Sequence, residues 1–429
     1  MKKTDEKYAA YVQILKEELV SAMGCTEPIA VAYAAAEARR VLGTLPDRVT
    51  VGVSGSILKN VKSVIVPHTG GLKGIAAAAA AGIVAGNPEK QLEVLAEVTD
   101  AQIARIKSFM TETPVTVEHV DNGITFDIIV ELHADGGTES GETALVRIAN
   151  YHTNIVRIEK NGRILEQREV TAETESLTNR ELLNMADIWD FSTTVDVGDV
   201  RDVLERQMQY NLAIAEEGLR GDYGANIGKV LMTSAGGTVA GKAKAMAAAG
   251  SDARMNGCEL PVVINSGSGN QGITVSVPLI VYAEALNTGR EKLLRALTLS
   301  NLTAIHVKTP IGRLSAYCGA VNAGAGAGAG IAYLSGGGYE EVIHTVVNAL
   351  AIVSGIVCDG AKASCAAKIA SSIEAGILGY DMYAHGQQFY GGDGIVTKGV
   401  EATLKNIGRL GKEGMRETNE QIIKMMIES

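Results

Sequence analysis

Apolar residues at steps of three and four predict a helix over residues 5–23, followed at once by a second helix. The buried face of the first helix would consist of Tyr8, Tyr11, Val12, Leu15, Leu19 and Met23. Gly24 is a natural helix stop, and Thr26 can cap a new helix in which Pro28 stands near the first position. We expect this second helix to extend to about Leu42.

Beyond residue 45 apolar and polar residues alternate in short segments, which is typical of strands. The segments are residues 48–53, 63–67, 115–119, 125–132, 144–151 and 155–159. An Ala-rich helix is predicted at about residues 73–86, and Asn161-Gly162 is a strong signal for a tight hairpin turn. Residues 45–185 are therefore predicted to form an α/β domain with a partly antiparallel sheet.

From residue 186 to residue 429 the pattern is helical, with helices rich in Ala, Gly, Val and Ile between Gly-rich turns. The change in composition marks residues 186–429 as a second domain. Residues 1–44 are expected to pack on it, because they share its small side chains. The predicted fold class is α/β of the α+β type: a large Ala/Gly-rich helical domain plus a smaller mixed α/β domain.

The composition favours helix-on-helix packing through small residues. Of 429 residues, 49 are Gly, and only 4% are aromatic although 46% are hydrophobic. A net charge of −10 disfavours nucleic-acid binding, and the N-terminus lacks the apolar run of a signal peptide. Two apolar stretches, residues 316–339 and 342–357, are too Gly-rich or too short for a membrane span. We therefore expect buried helices in a cytoplasmic protein.

Two glycine-rich segments match nucleotide-binding motifs only in part. Residues 236–243 nearly fit a phosphate-binding loop, but Ala243 stands where that loop requires Ser or Thr. A turn into an Ala-rich helix at residues 240–249 is the alternative. Residues 324–329 fit a loose dinucleotide fingerprint without a strand before it or an acidic residue after it, which favours close helix packing. A non-catalytic metabolite- or nucleotide-binding protein remains the alternative class of function.

A third polar loop, residues 265–272, follows a short apolar run and precedes an apolar helix. Consecutive backbone amides at a helix start can bind an anion, and the Gly, Ser and amide residues here suit a small carboxylate. The candidate substrate residues are Asn265, Ser266, Asn270, Gln271 and His385, the last being a loop histidine that could carry a proton. A polar turn and a hydrogen-bonded loop histidine are the alternatives.

The chain has five cysteines, and an odd number without an export signal does not indicate a disulfide framework. Cys25 lies between Gly24 and a predicted helix start, where the helix dipole and free amides favour a thiolate that can act as nucleophile or base. Glu27 opposes this effect because it carries a nearby negative charge. Simple packing is the alternative for Cys25, and Cys258 matches no motif and is expected to pack.

Cys318, Cys358 and Cys365 form the second group of thiols. On one unbroken helix, Cys358 and Cys365 would be separated by about 10.5 Å of rise, which is too long for one small centre. We therefore predict that Gly360 ends the helix carrying Cys358 and that Cys365 lies early in the next helix. Three thiolates without a nearby His or a fourth Cys suit an iron–sulfur centre better than structural zinc, although the spacing is not a standard ferredoxin pattern.

Three of these segments together resemble one family. The block Met23-Gly24-Cys25-Thr26-Glu27-Pro28-Ile29-Ala30 is similar to the N-terminal signature of the L-cysteine desulfidase family, which is related to the alpha part of iron–sulfur L-serine dehydratases. Residues 315–320 and 358–365 resemble its cluster-binding segments. The resemblance covers nearly the whole chain, and the spacing of the last two cysteines is closer to the desulfidases than to the serine dehydratases.

This resemblance implies an oxygen-sensitive [4Fe-4S] cluster held by Cys318, Cys358 and Cys365, with one iron lacking a protein ligand. Cys25 would match the position of the family's proposed base. The implied reaction is β-elimination of L-cysteine to hydrogen sulfide, pyruvate and ammonia. The same chemistry on L-serine or L-threonine is the nearest alternative. A pyridoxal-phosphate lyase could also perform the elimination, but no motif singles out a Schiff-base lysine.

The expected partners are a small amino-acid substrate and a second copy of the chain in a homodimer, with no nucleic acid and no membrane.

Overall fold

The chain begins with helix α1 (Glu6–Glu18), strand β1 (Ser21–Met23) and helix α2 (Thr26–Leu42) in the computed structural model, which describes residues 1–135, 141–170, 177–312 and 314–428. The helix predicted over residues 5–23 is therefore too long. It ends at Glu18 because Leu19 leaves the helical conformation, and the next residues pair antiparallel with β8 (Pro261–Val263). The second helix has the predicted extent.

A mixed sheet follows, and its elements alternate with helices at first. The elements are β2 (Arg48–Val53), α3 (Gly55–Val61), α4 (Gly74–Ala85), a 3-10 turn (Pro88–Glu93), α5 (Asp100–Glu112), β3 (Val115–His119), β4 (Asp127–Ala134), β5 (Glu142–Ala149), β6 (Ile155–Lys160) and β7 (Arg163–Gln167). Among the described residues the sheet has six strands in the order β3-β2-β4-β5-β6-β7. Only β2 and β3 are parallel, so the predicted partly antiparallel sheet is confirmed.

The hairpin between β6 and β7 is also confirmed. Asn161 and Gly162 both have positive φ, 52° and 73°, as a tight hairpin turn requires. The strand predicted at residues 63–67 is wrong, because Ile65 forms only an isolated bridge with Lys73. The chain reverses direction immediately after Pro67, where His68 has φ 54°. Alternating burial in this segment comes from the loop packing on the core and not from a sheet.

The remainder of the chain is helical. Its elements are a 3-10 turn (Arg180–Leu182), α6 (Met185–Thr194), a 3-10 turn (Val197–Asp199), α7 (Arg201–Arg220), α8 (Ile227–Ala235), α9 (Val239–Met255), α10 (Gly269–Ala285), α11 (Arg290–Lys308), α12 (Gly319–Leu334), α13 (Tyr339–Val353), α14 (Cys365–Ala384), α15 (Val400–Arg409), a π-helical turn (Leu410–Gly414) and α16 (Arg416–Glu428). The molecule thus has an α+β fold with a large helical part, as predicted. No helix within the described ranges is both long and apolar enough to cross a membrane.

The two glycine-rich segments serve helix packing and helix capping. In residues 236–243 the Thr238 hydroxyl caps α9 by accepting from the amide of Gly241 at 3.0 Å, and helix α8 precedes the segment where a phosphate-binding loop needs a strand. In α12, a Cβ on Gly324 would stand 2.4 Å from the Ser372 carbonyl oxygen of α14. Both segments therefore have the structures predicted as alternatives to nucleotide binding.

The N-terminal elements divide between the two parts of the molecule. Helix α1 packs edge-on against Phe191 of α6 through Tyr8 and Tyr11, with ring centroids 5.3 Å apart in both pairs. Helix α2 instead packs on α4 and on the sheet strands β4 and β5. The largest cluster of buried hydrophobic side chains includes residues of both parts, so one continuous core extends through the molecule.

Candidate functional site

Four helices begin at the wall of one small cavity of about 110 Å³. Cys25 precedes α2, Ser268 precedes α10, Cys318 precedes α12, and Cys365 is the first residue of α14. Each helix start presents free backbone amides and the positive end of a helix dipole. The convergence makes this cavity a favourable place for negative charge, whether a thiolate, a carboxylate or an anionic cluster.

Besides Cys25, three cysteines line the cavity, and they come from two segments of the chain that pair with each other. The loop after α13 pairs with the segment before α12: the amide of Cys358 donates to the Ala316 oxygen at 2.6 Å, and the amide of Cys318 donates to the Ile356 oxygen at 3.2 Å. Cys358 therefore lies in a loop, and the prediction that it lies on a helix ended by Gly360 is wrong, since α13 already ends at Val353. The placement of Cys365 early in the next helix is confirmed.

The thiols influence one another's ionisation. Burial, and then the neighbouring Cys358, raise the pKa of Cys318 to about 12. Burial is also the main cause of the raised pKa of Cys365, to which Cys358 again contributes. Cys318 is buried, whereas Cys358 and Cys365 are half-buried. Metal binding is the usual way in which grouped cysteine thiols lose their protons.

The donor set fits an iron–sulfur group better than a single metal ion. In the described part of the chain, no three His, Cys, Asp or Glu residues lie close enough to hold one ion. Cys318, Cys358 and Cys365 line one cavity, and cysteine thiolates are the usual ligands of iron–sulfur clusters.

Cys25 donates a hydrogen bond to a carboxylate, which its position at a helix start does not predict. Its side chain is 3% exposed, and its Sγ donates to Oε2 of Glu27 at 3.1 Å. Burial, followed by the charge of Glu27, raises the pKa of the Cys25 thiol well above its ordinary value, while Arg254 acts in the opposite direction. Cys25 is therefore protonated in this arrangement and is not the thiolate that its position predicts. Burial and the nearby carboxylate outweigh the effect of the helix dipole.

Glu27 is the acceptor at the centre of this hydrogen-bond network. Thr26 Oγ1 donates to its Oε2, and Asn60 Nδ2 donates to its Oε1, both at 3.1 Å. Burial acts to raise the pKa of Glu27, but His152 and the Cys25 hydrogen bond outweigh it, so the pKa lies below its ordinary value. Glu27 is thus an ionised carboxylate that accepts the hydrogen bond of the Cys25 thiol.

Unpartnered polar atoms belong to three other residues that line the cavity. Among the described residues, no hydrogen-bond partner is present for the buried atoms Arg254 Nε, Asn270 Oδ1 and Gln271 Oε1. The absence of side chains at two glycines makes room for these groups: a Cβ on Gly269 would stand 2.3 Å from Arg254 Nε, and one on Gly319 would stand 2.7 Å from Gln271 Nε2. Buried polar groups without partners are rare in native proteins, and here they point to a polar ligand.

The structure brings together some of the predicted substrate residues and not others. Asn270 and Gln271 line the cavity, whereas Asn265 and Ser266 do not. Asn265 Nδ2 donates to Asn301 Oδ1 at 2.9 Å, and Ser266 Oγ donates to Asn265 Oδ1 at 2.9 Å, so these two side chains hold the loop in shape. His385 lies at the exposed C-terminal end of α14, about 30 Å along the helix from Cys365.

The sequence motifs do not mark Glu27, Asn60 or Arg254 as functional residues. Glu27 lies in the same short block as Cys25, but only as a carboxylate opposing the thiolate. Arg254 is a charged residue near the end of the Ala-rich helix α9, where it is 3% exposed. A charge in an apolar helix is a usable signal, because burying it requires a partner or a ligand.

Comparisons with known proteins find one family and several close relatives. The family described as "Serine dehydratase alpha chain" matches residues 89–424. A UPF0597 protein of Desulfitobacterium hafniense is 58% identical over 429 residues, which cover 100% of this chain and 98% of that protein. UPF0597 proteins of Lachnoclostridium phytofermentans and Treponema denticola are 50% and 45% identical, covering 98% of this chain and 100% and 98% of those proteins, respectively.

Proposed function

The chain belongs to the serine dehydratase alpha chain family, and from this premise we propose that it is a [4Fe-4S]-dependent lyase that eliminates sulfide from L-cysteine. The observation that carries the proposal is the convergence of four helix starts, three cysteines and the Cys25–Glu27 pair on one cavity. The products would be hydrogen sulfide, pyruvate and ammonia.

Cys318, Cys358 and Cys365 would hold the cluster, since they are the thiols that line the cavity from α12, α14 and the loop between α13 and α14. When bound, the cluster supplies an iron with an open coordination position, which can act as a Lewis acid toward the leaving sulfur. The positive ends of α12 and α14 would offset its negative charge.

The Cys25–Glu27 pair would carry the α-proton. The hydrogen bond already directs the Cys25 proton to Glu27 Oε2, at a donor–acceptor distance of 3.1 Å. Since the pKa of Cys25 lies above that of Glu27 in this arrangement, the thiol would pass its proton only when positive charge in the cavity, such as that of Arg254, stabilises the thiolate. Cys25 Sγ would then accept the α-proton of the substrate while the Cβ–S bond breaks and sulfide departs. The remaining aminoacrylate tautomerises and hydrolyses to pyruvate and ammonia without help from the protein.

Arg254 and the start of α10 would bind the substrate carboxylate. Arg254 carries the positive charge, and the first turn of α10 contributes amides together with Asn270 and Gln271. A carboxylate in this position would satisfy the unpartnered Nε of Arg254. The sequence predicted a carboxylate site in the loop of residues 265–272. Within that loop, the proposed site consists of Asn270, Gln271 and the neighbouring amides of the first turn of α10.

The first experiment is anaerobic purification followed by iron and acid-labile sulfide analysis. We expect about four of each per chain, as a [4Fe-4S] cluster contains. Assays with L-cysteine should then release equal amounts of sulfide and pyruvate. A chain that takes up no iron on anaerobic reconstitution would contradict the proposal.

L-serine is the second candidate substrate, because the family description names serine dehydratase. The same site could eliminate hydroxide in place of sulfide. Matched assays of 2-oxo acid formation from L-cysteine, L-serine and L-threonine distinguish the two reactions. A higher kcat/KM with L-serine than with L-cysteine would select the dehydratase.

Replacing Cys25 by Ser tests the division of roles between the cysteines. Cys25→Ser should keep the iron content and the visible absorption of the wild type, but should lower kcat by about 100-fold or more, because a serine hydroxyl is a far weaker proton acceptor. Cys258→Ser is the control, since Cys258 is buried in the core away from the cavity. Loss of iron from Cys25→Ser would show that Cys25 serves the cluster and not the proton transfer.

A further inference from the structure

Lysine side chains bind consecutive carbonyl groups of the loop that carries Cys358. Lys368 Nζ donates to the Val357 oxygen at 2.7 Å, and Lys59 Nζ donates to the Cys358 oxygen at 3.2 Å. Lys362 Nζ donates to the Asp359 oxygen at 2.9 Å and approaches the Gly360 oxygen at 3.5 Å. Four successive carbonyls of residues 357–360, the cysteine loop, thus accept from three ammonium groups.

Lys59 reaches this loop from another part of the fold. It lies on α3, is 2% exposed, and also donates to Asn419 Oδ1 of α16 at 2.7 Å. The loop rests directly on the backbone of α3, because a Cβ on Gly360 would stand 2.3 Å from the Lys59 oxygen. One buried lysine therefore connects α3, the cysteine loop and the C-terminal helix.

Lys362 and Lys368 add charge near the cysteines. Both form ion pairs with Asp359, and Lys368 also interacts electrostatically with Cys318 and Cys365. Three lysines stand against Asp359 and against Glu27, which acts on Lys59, so the positive charges exceed the negative ones in this group. A structural loop could be held by neutral donors, and burying an ammonium group such as that of Lys59 is expensive unless its charge is used.

We infer that Lys59, Lys362 and Lys368 are positioning residues for the cluster: they fix the cysteine loop through its carbonyls and offset the negative charge of the cluster and its thiolates. The inference rests on the proposed function, since it requires that Cys358 binds the cluster. Its consequence is that these lysines set how tightly iron is retained and at what potential the cluster is reduced. Outer-shell partners of metal ligands commonly have such effects.

Lys368 provides the sharpest test, because it both binds the cysteine loop at the Val357 oxygen and interacts electrostatically with Cys318 and Cys365. Lys368→Met should release iron to a ferrous chelator about 10-fold faster than wild type under anaerobic conditions. Its cluster should also be reduced at a more negative potential in a redox titration followed by electron paramagnetic resonance, because a positive charge has been removed. Lys368→Arg keeps the charge and should restore both properties.

Lys405→Met is the matched control, since Lys405 lies on the exposed face of α15 and should leave iron release and potential unchanged. Asn419→Ala removes the hydrogen bond between Asn419 and Lys59 without removing a lysine, and it should also accelerate iron release. The inference is overturned if Lys368→Met and Asn419→Ala both retain wild-type iron release and potential. A wild-type chain that binds no iron is a separate outcome, which contradicts the proposed function itself.

Discussion

The thiol of Cys25 donates a hydrogen bond to Glu27, although Cys25 stands at the N-cap of helix α2, where a thiolate would be favoured. A helix dipole stabilises a nearby charge by up to about 2 kcal/mol. Complete burial and an adjacent carboxylate oppose ionisation more strongly, so the thiol keeps its proton and donates a hydrogen bond to Glu27. The chemistry of this residue therefore depends on a pair of side chains, of which only one is a cysteine.

Arg254 is the residue whose replacement most directly tests substrate binding. Arg254→Gln should raise the KM for L-cysteine by about 10- to 100-fold, because a charged hydrogen bond contributes roughly 1.5–3 kcal/mol. We expect a smaller effect on kcat and an unchanged iron content. Steady-state kinetics under anaerobic conditions give both constants.

Arg220→Gln is the control for this prediction, since Arg220 is exposed at the end of α7 and pairs only with Glu217 among the described residues. An unchanged KM in Arg254→Gln would exclude Arg254 from the carboxylate site. A loss of iron would instead assign Arg254 to the cluster environment.

Helices α12 and α14 hold two of the cysteines at their first turns, so their spacing sets the distance between Cys318 and Cys365. Gly324 and Gly376 allow the two backbones to approach: a Cβ on Gly376 would stand 2.5 Å from the Gly324 oxygen. The glycine-rich run of α12 thus has a geometric role in the candidate site. Small residues are used here because any side chain would separate the helices.

Gly324→Ala should destabilise the protein even though Ala favours helix. We expect the free energy of unfolding to fall by about 1–3 kcal/mol, because the new methyl group would overpack against Ser372. The iron content should fall with it as the cysteines separate. Denaturant titration and iron analysis measure the two effects.

Gly289→Ala is the matched control, since Gly289 precedes α11 with φ −66° and a Cβ there would meet no atom within 4 Å. Its stability should stay within about 0.5 kcal/mol of wild type. A Gly324→Ala variant as stable as this control would show that α12 and α14 can separate without cost.

Helix α8 is capped by a side chain from α9. Asp252 Oδ2 accepts from the amide of Gly228 at 2.8 Å, and Asp252 is 1% exposed. Burial raises the pKa of Asp252 to about 6. The folded state disfavours the ionised form of this carboxyl group. The free energy of unfolding therefore falls as pH rises from about 4, where the group ionises in the unfolded chain, to about 6, where it ionises in the folded one.

Replacing Asp252 by Asn removes this titration while keeping an acceptor for Gly228. The stability of the wild type relative to Asp252→Asn should therefore fall by on the order of 3 kcal/mol as pH rises from 4 to above 6. Denaturant titrations of both proteins across this pH range give the difference. A difference that does not change with pH would mean that Asp252 keeps its ordinary pKa.

The whole molecule assembles the cavity from distant parts of the chain. Cys25, Glu27 and Asn60 come from the first elements, whereas Arg254, the first turn of α10 and the three other cysteines come from the helical part. The site therefore forms only when both parts pack into one core. A ligand bound at such a junction stabilises the complete fold and not one element alone.

Cluster binding should raise the thermal unfolding temperature by several degrees, because the cluster binds the folded chain and not the unfolded one. Anaerobic calorimetry of the same preparation before and after reconstitution measures the shift. The Cys318→Ala variant, which we expect to lose the cluster, should show no shift. Equal unfolding temperatures with four irons bound per wild-type chain would contradict this coupling.

The sequence alone determined much of the local structure and brought the cysteine motifs to attention. Helix α2, the Asn161-Gly162 hairpin, the Ala-rich helices and the position of Cys365 at a helix start follow from short-range rules of periodicity and capping. These rules work because each depends on residues within a few positions of one another. The four cysteines at the cavity were recognised for the same reason, since their flanking residues form compact motifs.

Only the tertiary structure decided which of those residues meet and in what state. Leu19 and Met23 extend the helical period of α1, yet the chain leaves the helix after Glu18 to pair with β8, more than two hundred residues away. His385 lies at the far end of α14 and cannot reach the cavity, and the Asn265 side chain donates to Asn301 instead of lining the cavity. Burial, long-range hydrogen bonds and the ionisation of Cys25 all depend on contacts between distant segments, and no local pattern in the sequence encodes those contacts.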